Sequence, residues 1–334
     1  MRTISVLALF LFGPIFLSQA EPPASAPGTS GEPSGTGPLL DIARRQKALQ
    51  LANEPARSIR VNTDMTLVPV TVTDAFGRNV RGLEKQNFRV FENAEQRSIV
   101  SFGREDAPIS VGLIFDSSRS MRDKFNMARD AASQLLRQLT PDDEAFVVTV
   151  STLAQLRQDF TSDTGEISDA LVFTNPDGST SLLDGVNLGL EHMKKAHTPR
   201  RALVVVSDGG ENNSRYTLNE LLARAVEADT LIYTICLFQD PQSREEIAGP
   251  GLLTDLAQKT GGITFFVKDR EMISLGQVMA TIGVTLHNQY VLGYYPPENG
   301  PTGKYRKIRV QLLLPKGMPE MHIYARAGYY APER

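Results

Sequence analysis

The chain of 334 residues is 41% hydrophobic and 22% charged, enough for one medium-sized α/β domain and a smaller module, each with its own core. Its formal net charge is only -3 and no long run of Lys and Arg appears, which removes the electrostatic argument for a nucleic-acid or anionic-membrane partner. The single cysteine, Cys236, sits in the apolar run 231–238 and reads as a buried core thiol in a protein that does without a disulfide.

In chain order, Arg2 precedes an apolar run over 4–17, and the small residues Ser18 and Ala20 occupy the -3 and -1 positions of a cut after Ala20. This is the pattern of an export signal over 1–20, too short for the ~20 apolar residues of a spanning helix. After cleavage no membrane span is expected, and the exported chain is periplasmic or extracellular. Residues 21–38 are rich in Pro, Gly and Ser, a composition that reads as a flexible tether, and 39–51 as a short helix. Over 58–106 the pattern is all-β. Val68, Val70 and Val72 alternate with Pro69, Thr71 and Thr73, the turn Asp74-Ala75-Phe76-Gly77 follows, and strands are expected at 88–91 and 99–102.

From Ile109 the period changes to apolar runs separated by segments of helical spacing. Core strands are expected at 109–115, 145–150, 202–206, 231–237 and 263–267, with 155–160 at an edge. Met121, Phe125, Ala128, Ala132, Leu135, Leu136 and Leu139 recur every three or four residues and lay one apolar stripe on the sheet. Thr217-Leu218-Asn219-Glu220 opens a later helix as a capping box, and Gly261-Gly262 closes a helix expected to begin near Leu252. The fold class is therefore α/β, an open and mostly parallel sheet with helices on both faces, whose functional edge is the carboxyl ends of the strands.

Three segments fall at that edge. Asp116-Ser117-Ser118-Arg119-Ser120-Met121 follows the first core strand, Asp177-Gly178-Ser179-Thr180-Ser181 lies in a second loop, and Ser207-Asp208-Gly209-Gly210 follows a later strand. Parallel strands deliver all three to one side of the sheet, so Asp116, Ser118, Ser120, Thr180 and Asp208 can meet. Taken singly, each has an ordinary reading: Asp116 and Asp208 as strand-end turn residues, Ser118 and Ser120 as helix caps, Thr180 as the cap of a helix starting near Ser181.

Taken together, the five resemble the metal-ion-dependent adhesion site (MIDAS) of von Willebrand factor type A (VWA) domains. In that site D-x-S-x-S, a Thr from a later loop and an Asp after a further strand hold one divalent ion. The resemblance covers about residues 106–288 and implies that Ser118 and Ser120 bind the metal through hydroxyls, Thr180 directly or through water, and Asp116 and Asp208 mostly through water. Arg119 stands where many members have Gly. The flanks, with Val68–Asp74 and 83–92 before the domain and Gly293-Tyr294-Tyr295 and Gly328-Tyr329-Tyr330 after it, are similar to a bacterial secreted VWA-related subfamily.

The resemblance implies a binding module rather than an enzyme: one ion, Mg²⁺ or else Mn²⁺ or Ca²⁺, with a coordination position left for an Asp or Glu of a protein partner. Mg²⁺ wants six oxygens at about 2.0–2.1 Å and dehydrates reluctantly, so hydroxyls, waters and only two carboxylates suit it. A Mg²⁺-dependent phosphatase of haloacid-dehalogenase type also places an Asp after its first strand, but Ser118 stands where its general acid belongs. A structural envelope protein with a vestigial site is the other alternative. His192, His197, His287 and His322 have no metal-ligand spacing and read as solvated or capping.

After a helix carrying Leu275, Val278, Met279, Ile282 and Leu286, strands return at 290–295, 305–314 and 322–327. Neither flank has enough strands for its own core. The expected organisation is a signal at 1–20, a tether at 21–38, and a VWA domain at 107–288 inserted into one β-sandwich built from 58–106 and 289–331.

Overall fold

The computed structural model describes residues 65–332 apart from 105–106, 239–243, 269–273, 298–301, 315–316 and 318; the expected signal, tether and helix over 39–51 lie outside the described residues. The alternation noted above gives strand β1 (Thr66–Asp74), which buries Val68, Val70 and Val72. β2 (Phe88–Glu92) and β3 (Glu95–Arg97) form a hairpin. Its two turn residues, Asn93 and Ala94, have φ of 48° and 75°, the handedness that matches strand twist in a two-residue hairpin. Asn93 is held there by its side-chain oxygen, which accepts the Lys307 amide at 3.0 Å. The strand expected at 99–102 forms two residues later as β4 (Ser101–Arg104), while Ile99 is still buried.

The α/β domain follows: β5 (Ile109–Asp116), α1 (Arg122–Leu136), β6 (Glu144–Val150), β7 (Ala154–Thr161), α2 (Thr164–Val172), α3 (Leu182–Met193), β8 (Arg200–Ser207), α4 (Leu218–Glu227), β9 (Leu231–Phe238), α5 (Arg244–Thr260), β10 (Thr264–Lys268) and α6 (Leu275–Leu286). The sheet order is β10-β9-β8-β5-β6-β7, parallel throughout except for the antiparallel edge strand β7. On one face Phe125 and Leu135 of α1, Ile167 of α2 and Met279 and Ile282 of α6 pack against Val111, Leu113 and Phe115 of β5. On the other, Val186 and Leu190 of α3, Leu221 of α4 and Leu253 and Leu256 of α5 cover Ile114, Val148 and Val205. The chain turns from β5 to β6 on one side and later to β8 on the other, so the crevice between the tips of β5 and β8 is the switch point where open α/β sheets bind ligands.

Two local expectations are corrected. α5 starts at Arg244, not near Leu252, and contains Pro250. Gly249-Pro250-Gly251 reads as a helix breaker, yet Gly249 is where the helix touches another loop: a Cβ there would lie 2.7 Å from the Gly209 backbone. Packing overrides the local signal. His192 is buried rather than solvated, stacked on Phe160 with its Nε2 2.8 Å from Asp159, because it lies on the apolar face of α3.

Returning from α6, the chain forms β11 (Tyr290–Tyr294), β12 (Tyr305–Leu312), β13 (Met321–Ala325) and β14 (Gly328–Tyr330). Two four-stranded sheets result, β13-β1-β11-β4 and β14-β12-β2-β3, and each mixes strands from both flanks, as the fold class expected. Val68, Val70, Phe88 and Val90 from before the α/β domain pack with Tyr290, Leu292, Ile308 and Val310 from after it. Arg104 lies opposite Tyr290, so the chain leaves the sandwich and re-enters it at neighbouring positions. Gln289, at the re-entry, donates to Thr71 at 3.3 Å and to Tyr233 of β9 at 3.1 Å, fastening the sandwich to the base of the α/β sheet, opposite the strand tips that carry the three loops.

Candidate metal centre

β5 and β8 run side by side, with Phe115 opposite Val206, which brings Asp116 and Ser207 together at the strand tips. The buried Asp116 carboxylate accepts the Ser118 amide on Oδ1 at 2.9 Å and the Ser207 hydroxyl on Oδ2 at 2.6 Å. Ser207 Oγ in turn accepts the Gly209 amide at 2.9 Å. Ser118 is extended (φ -71°, ψ 169°) and makes no side-chain cap, and the N-cap of α1 is Met121. Freed from capping, Ser118 Oγ lies 3.1 Å from Ser120 Oγ. Ser118 thus stands at the N-cap position of a single 3-10 turn, Arg119–Met121, without using its hydroxyl as a cap, and Ser120 lies inside that turn.

The second loop is threaded against the first. The Asp177 amide donates to the Ser117 carbonyl at 2.9 Å, and the Arg119 amide to the Gly178 carbonyl at 3.1 Å, with Gly178 at φ 84°. Thr180 is buried, its amide donates to Asn212 Oδ1 at 3.0 Å, and its carbonyl accepts the amides of Asn212 and Asn213. Ser181, not Thr180, is the N-cap residue of α3. The third loop reaches the same place. A Cβ on Gly210 would lie 3.2 Å from Asp208 Oδ1 and 3.5 Å from Thr180 Oγ1, so both side chains lie beside one point of the third loop.

Sequence reasoning missed two participants. Ser207, read only as part of a turn, orients Asp116. Lys124, three residues after Met121 on the apolar stripe, is buried with its ammonium 3.6 Å from Asp208 Oδ2 and donating to the Leu237 carbonyl at 3.2 Å; an interior lysine on a core-facing stripe was the available signal. Burial, and then the neighbouring Asp208 carboxylate, push Asp116 up to about 7. Asp208 Oδ2 is buried with no hydrogen-bond partner. The two carboxyls are thus buried neighbours, and the Lys124 ammonium faces one of them, Asp208.

The donor set fits a hard divalent cation. Three hydroxyls and two carboxylates, all oxygen, are what Mg²⁺ or Mn²⁺ takes, and Asp208 Oδ1 and Thr180 Oγ1 both lie beside Gly210 at the loop edge. Among the described residues no group of three or more His, Cys, Asp or Glu could hold a metal. Arg119 points outward and pairs with Asp177 at 3.2 Å. Cys236 lies beneath the site, its thiol pushed up to about 12 by burial, and is inert.

Residues 111–211 match the family model described as the von Willebrand factor type A domain. The chain carries a VWA domain. A 100-residue stretch is 24% identical to an uncharacterized protein of Borreliella burgdorferi, covering 25% of this chain and 29% of that protein. The chain thus spans under a third of that relative. Among solved structures similar to the chain, BatB from Bacteroides thetaiotaomicron is 18% identical, with 53% of this chain and 98% of that one covered and a TM-score of 0.44. Proximal thread matrix protein 1 of the mussel byssus, with a zinc-occupied MIDAS motif, is 14% identical over 58% of this chain and 49% of that one, with a TM-score of 0.46. Among the described residues of the VWA domain and its sandwich, no helix is long and apolar enough to cross a membrane.

Proposed function

We propose that this chain is an exported, non-enzymatic protein-binding module whose VWA domain holds one divalent cation, Mg²⁺ or else Mn²⁺ or Ca²⁺, on Asp116, Ser118, Ser120, Thr180 and Asp208. The reading keeps the division into a signal at 1–20, a tether at 21–38, sandwich segments at 58–106 and 289–331 and a VWA domain at 107–288, acting in the periplasm or outside the cell. The supporting observation is the pair Ser118 and Ser120, whose hydroxyls lie 3.1 Å apart, that of Ser118 making no cap hydrogen bond to the turn it precedes.

A cation on these residues supplies an electrophilic centre for a partner's Asp or Glu. Neutral hydroxyls do not quench it: another carboxylate at ~4 Å would add an attraction on the order of 8 kcal/mol at an effective dielectric of ~20, an upper bound. Ser207 holds the Asp116 carboxylate, and Gly210 leaves room beside Asp208 and Thr180.

Calorimetric titration with MgCl₂ and MnCl₂ tests the reading. One ion per wild-type chain, lost in Ser120→Ala and Asp208→Ala and kept in Ser179→Ala, is expected. Ser179 contributes its amide to Thr152 at 3.1 Å and lies outside the ligand set. Ion uptake unaffected by Asp208→Ala would refute the assignment.

A further inference from the structure

Among the described residues, four large hydrophobic side chains are more than three-fifths exposed: Phe76 at 84%, Phe173 at 82%, Leu153 at 67% and Ile247 at 65%. Phe76 belongs to the sandwich. The other three lie at the sheet edge that carries the metal-site loops. Leu153 follows Thr152, whose hydroxyl accepts the Ser179 amide at 3.1 Å and whose carbonyl accepts Asn213 Nδ2 at 2.7 Å, so it stands beside the second and third loops. Phe173 closes α2, which runs toward that edge, four residues before Asp177. Ile247 is in the opening turn of α5, two residues before Gly249, whose backbone touches Gly209 of the third loop.

Scattered exposed hydrophobics are ordinary, but a concentration of the most exposed ones around one site marks an interaction surface. Arg119 and Arg122 share the single carboxylate of Asp177, at 3.2 and 3.5 Å, which leaves one guanidinium uncompensated among the described residues there. Apolar side chains on three sides and a spare cation complement an acidic residue set among apolar ones.

We propose that Leu153, Phe173 and Ile247 read the residues beside the metal-seeking carboxylate. The partner is then an extended segment of a protein in which Asp or Glu is flanked, within about three positions or ~10 Å of chain, by large aliphatic or aromatic side chains. This rests on the metal-dependent function proposed above. The carboxylate supplies metal dependence and the flanking side chains supply selectivity, because burying one such side chain is worth roughly tenfold or more in affinity.

Displayed hexapeptide libraries with a fixed central Asp, and with Asn in its place, are selected on the full chain in MgCl₂ and in EDTA. The same selection on Leu153→Ser/Phe173→Ser, whose two sites are exposed and whose fold is checked by circular dichroism, completes the design. The wild type is expected to enrich Leu, Ile, Met or Phe near Asp at least fivefold over the unselected library, in MgCl₂ only. The variant should still capture Asp clones in MgCl₂ without the apolar preference. Asp-dependent capture with no apolar preference, or a preference unchanged in the variant, overturns this inference and leaves the metal reading standing. Capture that ignores EDTA, extends equally to Asn or fails altogether overturns both.

Discussion

The Ser207 hydroxyl donates to Asp116 Oδ2 at 2.6 Å across a separation of 91 residues, tying the two strand tips between which the candidate metal site is built. Ser207→Ala leaves a buried carboxylate oxygen without that donor. The expected loss is roughly 1–3 kcal/mol, read as a lowered urea midpoint with unchanged slope. A variant as stable as wild type would mean that the contact carries no strain-free hydrogen bond.

Lys124 is the cation already present near Asp208. Lys124→Met leaves the buried Asp208 carboxylate with no ammonium beside it, and breaking such a pair typically costs about 3–5 kcal/mol. Divalent ions should restore part of it. Thermal melts in EDTA and in MgCl₂ are therefore expected to differ more for the variant than for wild type. The wild-type chain, with its lysine and its apolar core, should keep a native circular dichroism spectrum in EDTA; equal melts for the variant in both buffers would argue against the compensation.

In the sandwich, Glu92 is fully buried and accepts the Tyr294 hydroxyl at 2.7 Å, the Tyr329 hydroxyl at 3.2 Å and Arg306 at 3.2 Å. One residue of the first flank thereby gathers three from the second, and burial together with Glu92 holds the Tyr294 phenol well above its usual range. Glu92→Ala strands a buried guanidinium and should cost about 3–5 kcal/mol. Chemical denaturation followed at the tyrosines tests it, since the protein has no Trp.

Acid sensitivity has a specific source at the base of the VWA sheet. Burial raises Asp143, but the Thr140 and Ile109 amides, the Thr140 hydroxyl and His287 outweigh it and hold the carboxyl below its ordinary value. A depressed carboxyl contributes stability that is complete above the ordinary value, near 4, and is lost as pH falls through the lowered one. Asp143→Asn should lower stability at pH 7 and flatten the decline below pH 4. Parallel stability–pH curves for the two proteins would contradict this.

The α/β core was legible because each central strand is a continuous apolar run, and Asp116, Ser118 and Ser120 because they are contiguous at a strand tip. Thr180 and Asp208 became legible only through the parallel topology that carries distant loops to one edge. Ser207 was legible only as the first residue of the third loop, and Lys124 only through its place on the apolar stripe three residues after Met121; neither names its partner. β3 was hidden by its polar sequence, Glu95-Gln96-Arg97, which pairs through backbone alone. The start of α5 was masked by Gly249 and Pro250, whose helix-breaking character is overridden by the contact of Gly249 with Gly209. In each case the missing information is a tertiary partner, absent from any local window.

Anomalous diffraction from crystals grown with Mn²⁺ tests the central assignment most directly. A single peak is expected within about 2.0–2.4 Å of the Ser118 and Ser120 hydroxyls, on the side facing Thr180 and Asp208, and absent from Asp208→Ala crystals. No peak at the tips of β5 and β8, or one that survives Asp208→Ala, would contradict it.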